Sequence, residues 1–386
     1  MASPAMASNA LTARWAATCD GDTTVLSGLG VWPLLAVLAD AGTGPAGAEL
    51  RKAAGSDSAG AEPQQAGSHS VGELLATLTA APAIHAAVGL WTHRDLPLEQ
   101  TWLDALPPAT HEILSGNTAE DKAHLDAWAA KHTDNLIKRL PVSLGPDTLL
   151  VLASALAVRT TWAAPFVNRR RAIEHGPWAG RPFAALTRRT GEPDQVSVID
   201  GITRARIVGS DDIEVHLLLG APDRPAGEVL RTGIEQVGNN AEQVWQPGQT
   251  APGLEVTESP AIDRPTLDLT ACRFTIDAAH DLFDHADLFG LAAARSAGPH
   301  FPGISPQPLT ISQARQDAMA TFSATGFEAA AVTGMAMRAS AARRMRGGTL
   351  VSVTFDRPFG FLAVHRPTSL VLVAGWIAEP EPWPAN

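Results

Sequence analysis

The chain has 386 residues, 45% of them hydrophobic, and a mean hydropathy near zero, which provides core material for one large or two medium domains. A net charge of -11 offers no concentrated positive surface, so neither nucleic acid nor an anionic membrane is expected as a partner. Lysine occurs only at Lys52, Lys122, Lys131 and Lys138, and this Arg bias with abundant Ala, Gly and Pro is the composition of a GC-rich coding genome.

The N-terminus, MASPAMASNALTARW, has no basic region followed by an apolar run, so no signal peptide is visible and the sequence itself points to the cytoplasm. No apolar run reaches ~18 residues, and no membrane span is expected. Cys19 and Cys272 are too few for a disulfide framework or a cysteine zinc cluster, and they read as two small buried thiols. Trp32 to Ala41, WPLLAVLADA, predicts a buried helix stopped by Gly42. Ala86 to Trp91 predicts a buried strand. Lys122 to Leu140 places Leu125, Trp128, His132, Leu136, Ile137 and Leu140 at helical spacing, the pattern of an amphipathic helix. Thr148 to Trp162 has too little polarity for a half-exposed strand and predicts a central one buried on both faces. Arg169-Arg170-Arg171 reads as a solvated turn, with anion binding as the outside reading. Val215 to Leu219, Leu267 to Ile276 and Ile311 to Phe322 predict strands. Val351 to Thr354, Gly360 to His365 and Ser369 to Ile377 predict three more in close succession. Helices early and strands late, with no clean linker and no repeat, indicate one α+β unit over residues 1–386.

No catalytic constellation emerges, and the chain is not expected to be an enzyme. There is no Gly-rich phosphate loop and no nucleophile elbow. In HDLFDH the two histidines, His280 and His285, fall on different faces of a helix, so a solvated helix face is favoured over a metal site. His124 and His132 lie two helical turns apart with no carboxylate partner implied. No metal and no cofactor are expected. One segment stands out, SATGFEAAAVTGMAMRASAARRMRGG from Ser323 to Gly348. Read with period two from Phe327, one face carries Phe327, Ala329, Ala331, Thr333, Met335 and Met337. The other carries Glu328, Ala330, Val332, Gly334, Ala336 and Arg338, and so holds both charges. That is the alternation of a strand buried on one side, although a run of alanines also suits a helix or an ordinary loop.

Taken with its surroundings, this segment resembles the serpin family of serine protease inhibitors. ISQARQDAMATFSATGFEAAAVTG (Ile311 to Gly334) is similar to the strand and hinge leading into a serpin reactive-centre loop. FDRPFGFLAVHRPTSLVLVAGWIAEP (Phe355 to Pro380) resembles the C-terminal signature. DAWAAKHTDNLIKRL, TLLVLASALAVRTTWAAPF, VLSGLGVWPLLAVLADAGTGPAGAEL and AGPHFPGIS resemble further serpin segments in the right order. The resemblance implies a single domain of three β-sheets and eight or nine helices, with an exposed reactive-centre loop at about 326–350, and the composition suggests a bacterial member. It implies a metastable suicide inhibitor, expected to be monomeric. A serine protease, or a cysteine protease, cleaves the loop and is trapped as a covalent acyl complex while the loop enters the main sheet. Family habit places such proteins in the extracellular space. Insertion would gain roughly ten to twenty backbone hydrogen bonds at ~1 kcal/mol net each.

The same resemblance assigns a hinge to Gly326, Phe327, Glu328, Ala329, Ala330, Ala331, Val332 and Thr333. It assigns shutter and breach positions to Ser27, Ser154, Trp162 and Gln316. The register from Gly326 places the scissile bond at Ser340-Ala341, which suits an elastase- or subtilisin-like protease. Counting back from Pro358-Phe359 lands near Gly347, and Arg343 and Arg344 are the alternative for a trypsin-like one. Five departures from the family pattern matter. Phe327 stands where inhibitory members carry Thr or Ser, and squeezing an aromatic into a packed sheet costs ~1–3 kcal/mol. Ala324 replaces a Glu that helps hold the loop base. Gln316 and Ser154 stand where His and Asn are usual. Ser27-Gly28 replaces Ser-Pro. The first two motivate an alternative, a non-inhibitory binding or chaperone-like protein that proteases merely cut. Residues 53–93, where the family's usual basic helix falls, contain no Lys or Arg, which argues against activation by glycosaminoglycans.

Overall fold

The computed structural model describes residues 3–56, 66–173, 176–239, 243–296, 298–328 and 347–383. Contacts divide the chain into two compact units that interleave along the sequence. One comprises Met1–Trp15, Ser27–Val158 and Ala278–Ala318; the other comprises Ala16–Leu26, Arg159–Asp277 and Met319–Asn386. The strands form three six-stranded sheets, and eight α-helices are seen among the described residues.

Two of the sheets belong wholly to the second unit. One has the order β1 (Thr24–Leu26), β18 (Leu370–Ile377), β17 (Phe359–His365), β9 (Ile213–Leu219), β8 (Ile202–Val208), β7 (Val196–Ile199). Every residue of β9, β17 and β18 is buried, as unbroken apolar runs such as LVLVAGWI require, and α7 (Ala226–Glu235) packs against this sheet. The next has the order β10 (Thr250–Ala251), β11 (Leu254–Ser259), β16 (Gly348–Thr354), β12 (Thr266–Cys272), β6 (Phe183–Thr190), β5 (Val167–Arg171). Cys272 is buried and Cys19 half-buried; both are free, and burial pushes the Cys19 thiol up to about 11.

The third sheet has the order β13 (Phe274–Asp281), β14 (Arg315–Phe322), β15 (Gly326–Glu328), β4 (Leu150–Thr161), β2 (Ile84–His93), β3 (His111–Leu114). In the first unit, β2 pairs antiparallel with β4 from Ile84↔Val158 to Thr92↔Leu150. This unit also holds α2 (Gly28–Ala41), α3 (Gly44–Ala54), α4 (Ala66–Thr79), α5 (Gln100–Ala105), α6 (Thr118–His132) and α8 (Ala286–Phe289), and nearly all of α1 (Pro4–Ala16). The predicted buried helix is α2, capped by the Ser27 hydroxyl, which accepts from the Gly30 amide at 3.1 Å. Trp91, Leu125, Trp128, Leu140 and Val151 share one core, with Trp91 and Trp128 edge-to-face at 5.0 Å. No helix among the described residues is long and apolar enough to cross a membrane.

Five expectations need correction. The strand predicted over Thr148 to Trp162 is not buried on both faces: β4 alternates buried and half-buried residues from Leu150 to Ala157 and exposes Arg159 and Thr161. The helix predicted to Leu140 ends at His132, because Asp134 and Asn135 take left-handed φ values of 51° and 61°. The Thr133 hydroxyl donates back to the Ala129 carbonyl at 2.7 Å, and Leu140 reaches the same core from the following loop. The strand predicted over Leu267 to Ile276 is two strands in two sheets, broken at Arg273, whose amide donates to the Ala184 carbonyl at 2.8 Å. HDLFDH is not a helix face: His280 and Asp281 end β13, and Asp281 caps the short turn Leu282–His285. Arg169-Arg170-Arg171 is not a turn but the exposed end of edge strand β5.

The first turn of α6 is tied to the preceding loop by Asp121, whose carboxylate accepts from the Ser115 amide and hydroxyl at 2.8 Å each and from the Gly116 amide at 3.0 Å. Burial opposes ionisation of Asp121, but these donors, with His93 nearby, hold its carboxyl below the ordinary range. A depressed folded value contributes stability above the unfolded pKa, about 3.9, and that stability is lost as pH falls through the folded value. Asp121→Asn is therefore expected to cost about 1–3 kcal/mol at neutral pH. Denaturant titrations should show the gap between variant and wild type closing below about pH 4.

Candidate functional site

The hinge begins as a tight turn built by Ser323. Its hydroxyl accepts from the amides of Thr325 at 3.3 Å and Gly326 at 3.2 Å, and it lies 3.0 Å from the Gly326 carbonyl, which also receives the Ser323 amide at 2.9 Å. The chain then enters the sheet as β15, paired with β14 on one side and β4 on the other. The rungs are Gly326↔Thr161, Phe327↔Thr160 and Glu328↔Arg159 toward β4, with Phe322↔Phe327 and Thr321↔Glu328 toward β14. Glycine is obligatory at 326, since a Cβ there would lie 2.2 Å from the Thr160 carbonyl oxygen. The Phe327 ring is fully buried and meets Phe361 of β17 at 6.1 Å. Glu328 forms an ion pair with Arg159.

The turn is anchored from the chain that leaves β4. The Trp162 indole N–H donates to the Ser323 carbonyl at 2.9 Å, and the Trp162 amide donates to the Thr325 carbonyl at 2.9 Å. The Phe166 amide donates to the Ala324 carbonyl at 2.8 Å. Trp162, Phe166 and Phe274 all pack on Phe322, with Phe274 stacked at 5.3 Å. Beside them Arg188 is buried, its guanidinium 4.8 Å from the Phe166 ring and donating to the Ala164 carbonyl and Gln195. Burial lowers Arg188 to about 10, so it remains a cation at neutral pH.

Ser27, Ser154 and Gln316 meet in the first unit. The Gln316 side chain accepts from the Ser27 amide at 2.9 Å and donates to the Ser27 carbonyl at 2.8 Å, while the Ser154 hydroxyl donates to the Gly30 carbonyl. Next to them lies a cavity of about 520 Å³, walled by α2 residues such as Leu34, Leu35 and Leu38 and by Leu150 and Leu152 of β4. The Gln313 amide group, also on its wall, bonds both ways to the Ser143 backbone, at 3.0 and 2.8 Å. Among the described residues no strand pairs the second edge of β4 from Val158 back to Leu150.

Gly326, Phe327, Glu328 and Trp162 thus form one cluster, and Ser27, Ser154 and Gln316 another. Ala329, Ala330, Ala331, Val332, Thr333, Ser340, Ala341, Arg343 and Arg344 lie outside the described residues. Phe327 does not wait outside the sheet, as its sequence position implied; it already fills a core position. Ala324 holds the loop base through its backbone carbonyl, without the carboxylate the family pattern led one to expect. Sequence reasoning missed Arg159, Ser323 and Phe166. Only Arg159 had a signal, a lone charge in the otherwise apolar run TLLVLASALAVRTTW.

The family model for serpins (serine protease inhibitors) matches residues 6–175 and 250–380 of this chain. In sequence it is similar to serpin-Z6A of Oryza sativa subsp. japonica, 25% identical over 92% of this chain and 93% of that protein. It is also similar to alpha-2-antiplasmin of Bos taurus, 23% identical over 78% of this chain and 57% of that one. Among solved structures it resembles a serpin of the trematode Schistosoma haematobium, TM-score 0.68 at 15% identity, covering 98% of this chain and 100% of that chain. A cleaved form of Serpin 42Da matches with TM-score 0.73 at 16% identity, covering 98% of each chain. Rice and cattle supply these relatives in sequence, which gives the expected bacterial source no support.

Because Phe327 is a core residue of the intact chain, Phe327→Ala is expected to destabilise it by about 3–5 kcal/mol, read as a lowered thermal midpoint and a lowered denaturant midpoint. An unchanged midpoint would show that the ring is not buried in solution.

Proposed function

The chain belongs to the serpin family of serine protease inhibitors, and we propose that it is a suicide substrate of a serine protease. The observation that carries this reading is the edge of β4, in the middle of a sheet, that no strand among the described residues pairs. Buried backbone donors and acceptors are almost always paired, so a central strand with one free edge has a place for one more strand. Curated relatives include alpha-2-antiplasmin and plasma protease C1 inhibitor, whose names record inhibitors of this kind.

The register of β15 says what the new strand would meet. Continued past Glu328, it pairs Thr333 with Ser154 on β4 and Gln316 on β14. Ala329, Ala331 and Thr333 would follow Phe327 onto the core face, as alternation requires. Met335 and Met337 would reach the rungs of Leu152 and Leu150, which line the 520 Å³ cavity; unbranched thioether side chains suit such an irregular void. In the proposed reaction the protease serine attacks the carbonyl carbon of Ser340, the peptide nitrogen of Ala341 leaves as an amine, and an ester joins the two proteins. Water would break that ester, and strand insertion competes with it. A ladder on both edges gains roughly ten to twenty hydrogen bonds at ~1 kcal/mol net each, energy absent from the intact form.

The non-inhibitory alternative rested on Phe327 and Ala324. Phe327 is placed before any cleavage, so its bulk does not slow the race with water. The residues that would follow it into the sheet, Ala329, Ala330 and Ala331, are small.

Incubated with elastase-like and trypsin-like serine proteases, the chain is expected to yield an SDS-stable complex with at least one. Cleavage between Ser340 and Ala341, without complex at any protease, would leave the non-inhibitory reading standing. Thr333→Arg forces a charge onto the rung of Ser154 and Gln316, where an unpaired ion is costly. This variant is expected to be cut at the wild-type rate yet to form little complex; complex at wild-type yield would sink the register.

A further inference from the structure

Arg188 of β6 is only 5% exposed and remains a cation at neutral pH. It lies one residue beyond the rung Val167↔Thr187, so the register sets it opposite Phe166, where the chain enters β5. One terminal nitrogen donates to the Ala164 carbonyl at 3.2 Å, and the other donates to the Gln195 side-chain oxygen at 2.9 Å. The guanidinium carbon stands 4.8 Å from the centre of the Phe166 ring. Its Nε is buried without a partner, and among the described residues no carboxylate lies within ion-pair distance. Glu192 is linked to it only through Gln195, whose amide donates to the Glu192 carboxylate. The next residue, Arg189, is by contrast exposed and paired with Asp268.

A buried cation without a carboxylate is unfavourable, and a methionine would fill the same space without that penalty. The contacts of Arg188 supply a reason for keeping it. Ala164 and Phe166, which it fixes, belong to the turn 162–166, and that turn holds the base of the 329–346 segment. Trp162 and Phe166 donate the three hydrogen bonds that reach the carbonyls of Ser323, Ala324 and Thr325, and both rings pack on Phe322. Phe166 is thus gripped by Arg188 on one side and grips Ala324 on the other. The family resemblance led one to expect a carboxylate on the loop at 324. Here the charge stands on the body of the protein and reaches the loop through Phe166.

We propose that Arg188 is the positioning residue of the loop base: by fixing Ala164 and Phe166 it keeps the Ser323–Gly326 turn closed and β15 seated. Its consequence for inhibition rests on the reading of the 329–346 segment as protease bait. A seated β15 offers the cut strand three rungs on β4 from which to continue, so insertion begins as an extension of existing pairing. With the anchor loosened, those rungs open part of the time and insertion starts late. Water then breaks a larger share of the acyl complex.

The test uses the full chain, Arg188→Met, which keeps the bulk but removes the charge and the donors, and Arg188→Lys, which keeps the charge. Hydrogen exchange read by mass spectrometry on the intact chain, with no protease present, reports on the anchor. In R188M the segments 160–168 and 322–328 are expected to exchange about ten-fold faster or more, with R188K between, while 213–219 and 359–365 stay unchanged. Unchanged exchange at 322–328 overturns the proposal. So does equal acceleration at 213–219 and 359–365, which would make Arg188 a general core residue. Each chain is then cut with the protease that gives the most complex with the wild type. R188M is expected to be cleaved at the wild-type rate, its ratio of complex to free cleaved chain falling about five-fold or more and partly recovering in R188K. An unchanged ratio beside accelerated exchange overturns the proposal as well. A wild type that gives no complex with any protease fails the suicide reading, and exchange alone then decides whether Arg188 holds the loop base.

Discussion

The edge of β4 left without a partner among the described residues is the constraint on which the rest of the site depends. Nine consecutive rungs tie one edge to β2, from Val158 to Leu150, while among the described residues β15 engages the other only at Arg159, Thr160 and Thr161. A sheet normally leaves such groups open at its rim, where water satisfies them, and not beside a central strand. The cavity against α2 and the bond pair between Gln313 and Ser143 both occur along this half-finished sheet. Among the described residues, apolar side chains border a void there, and a side-chain amide bonds the Ser143 backbone in place of a backbone partner.

The part of the hinge that is described already sits in the sheet. Residues seated in both the intact and the inserted forms contribute equally to each and drop out of the energy difference. Phe327 is such a residue, with its ring against Phe361. In the proposed reaction the driving force for insertion would come from residues beyond those already seated. Arg159 and Glu328 make the last rung among the described residues, an ion pair with the arginine half exposed and the glutamate largely buried. The anchor lies behind it, in the Trp162 indole bond to Ser323 and the aromatic packing on Phe322.

The legible parts of the fold were those where periodicity and burial coincide. β2, β4, β9, β17 and β18 were predicted within a few residues of their observed ends, because each is an apolar run that only a buried strand explains. Errors arose where tertiary partners overrode local pattern. Leu136 and Ile137 keep helical spacing with Trp128 although the backbone has left the helix at Asp134, so spacing alone extended α6 too far. Phe274 continues the apolar alternation of Leu267 and Leu269, and nothing local announces that the chain changes sheets at Arg273. At the site, family resemblance assigned Gly326 to the hinge, and the clash of a Cβ with the Thr160 carbonyl gives the physical reason. The anchoring of Ser323 by Trp162 spans 161 residues and follows no local rule.

Hydrogen-bond inventory explains how Gln316 and Ser154 serve where the family more often has His and Asn. Gln316 spends one N–H and one oxygen lone pair on Ser27, and a second N–H remains. Ser154 gives its only proton to the Gly30 carbonyl, so toward the gap it offers lone pairs alone. A strand arriving on this rung must therefore bring a hydroxyl, able to donate to Ser154 and accept from Gln316 at once. Alanine or valine would leave both polar groups short of partners, at a cost of about 1–3 kcal/mol for each group left unpaired. In the proposed register the residue delivered there is Thr333, the one hydroxyl among Phe327, Ala329, Ala331, Thr333, Met335 and Met337. In the proposed reaction the departures at 154 and 316 and the Thr at 333 are then one arrangement, which insertion of the cut loop would complete.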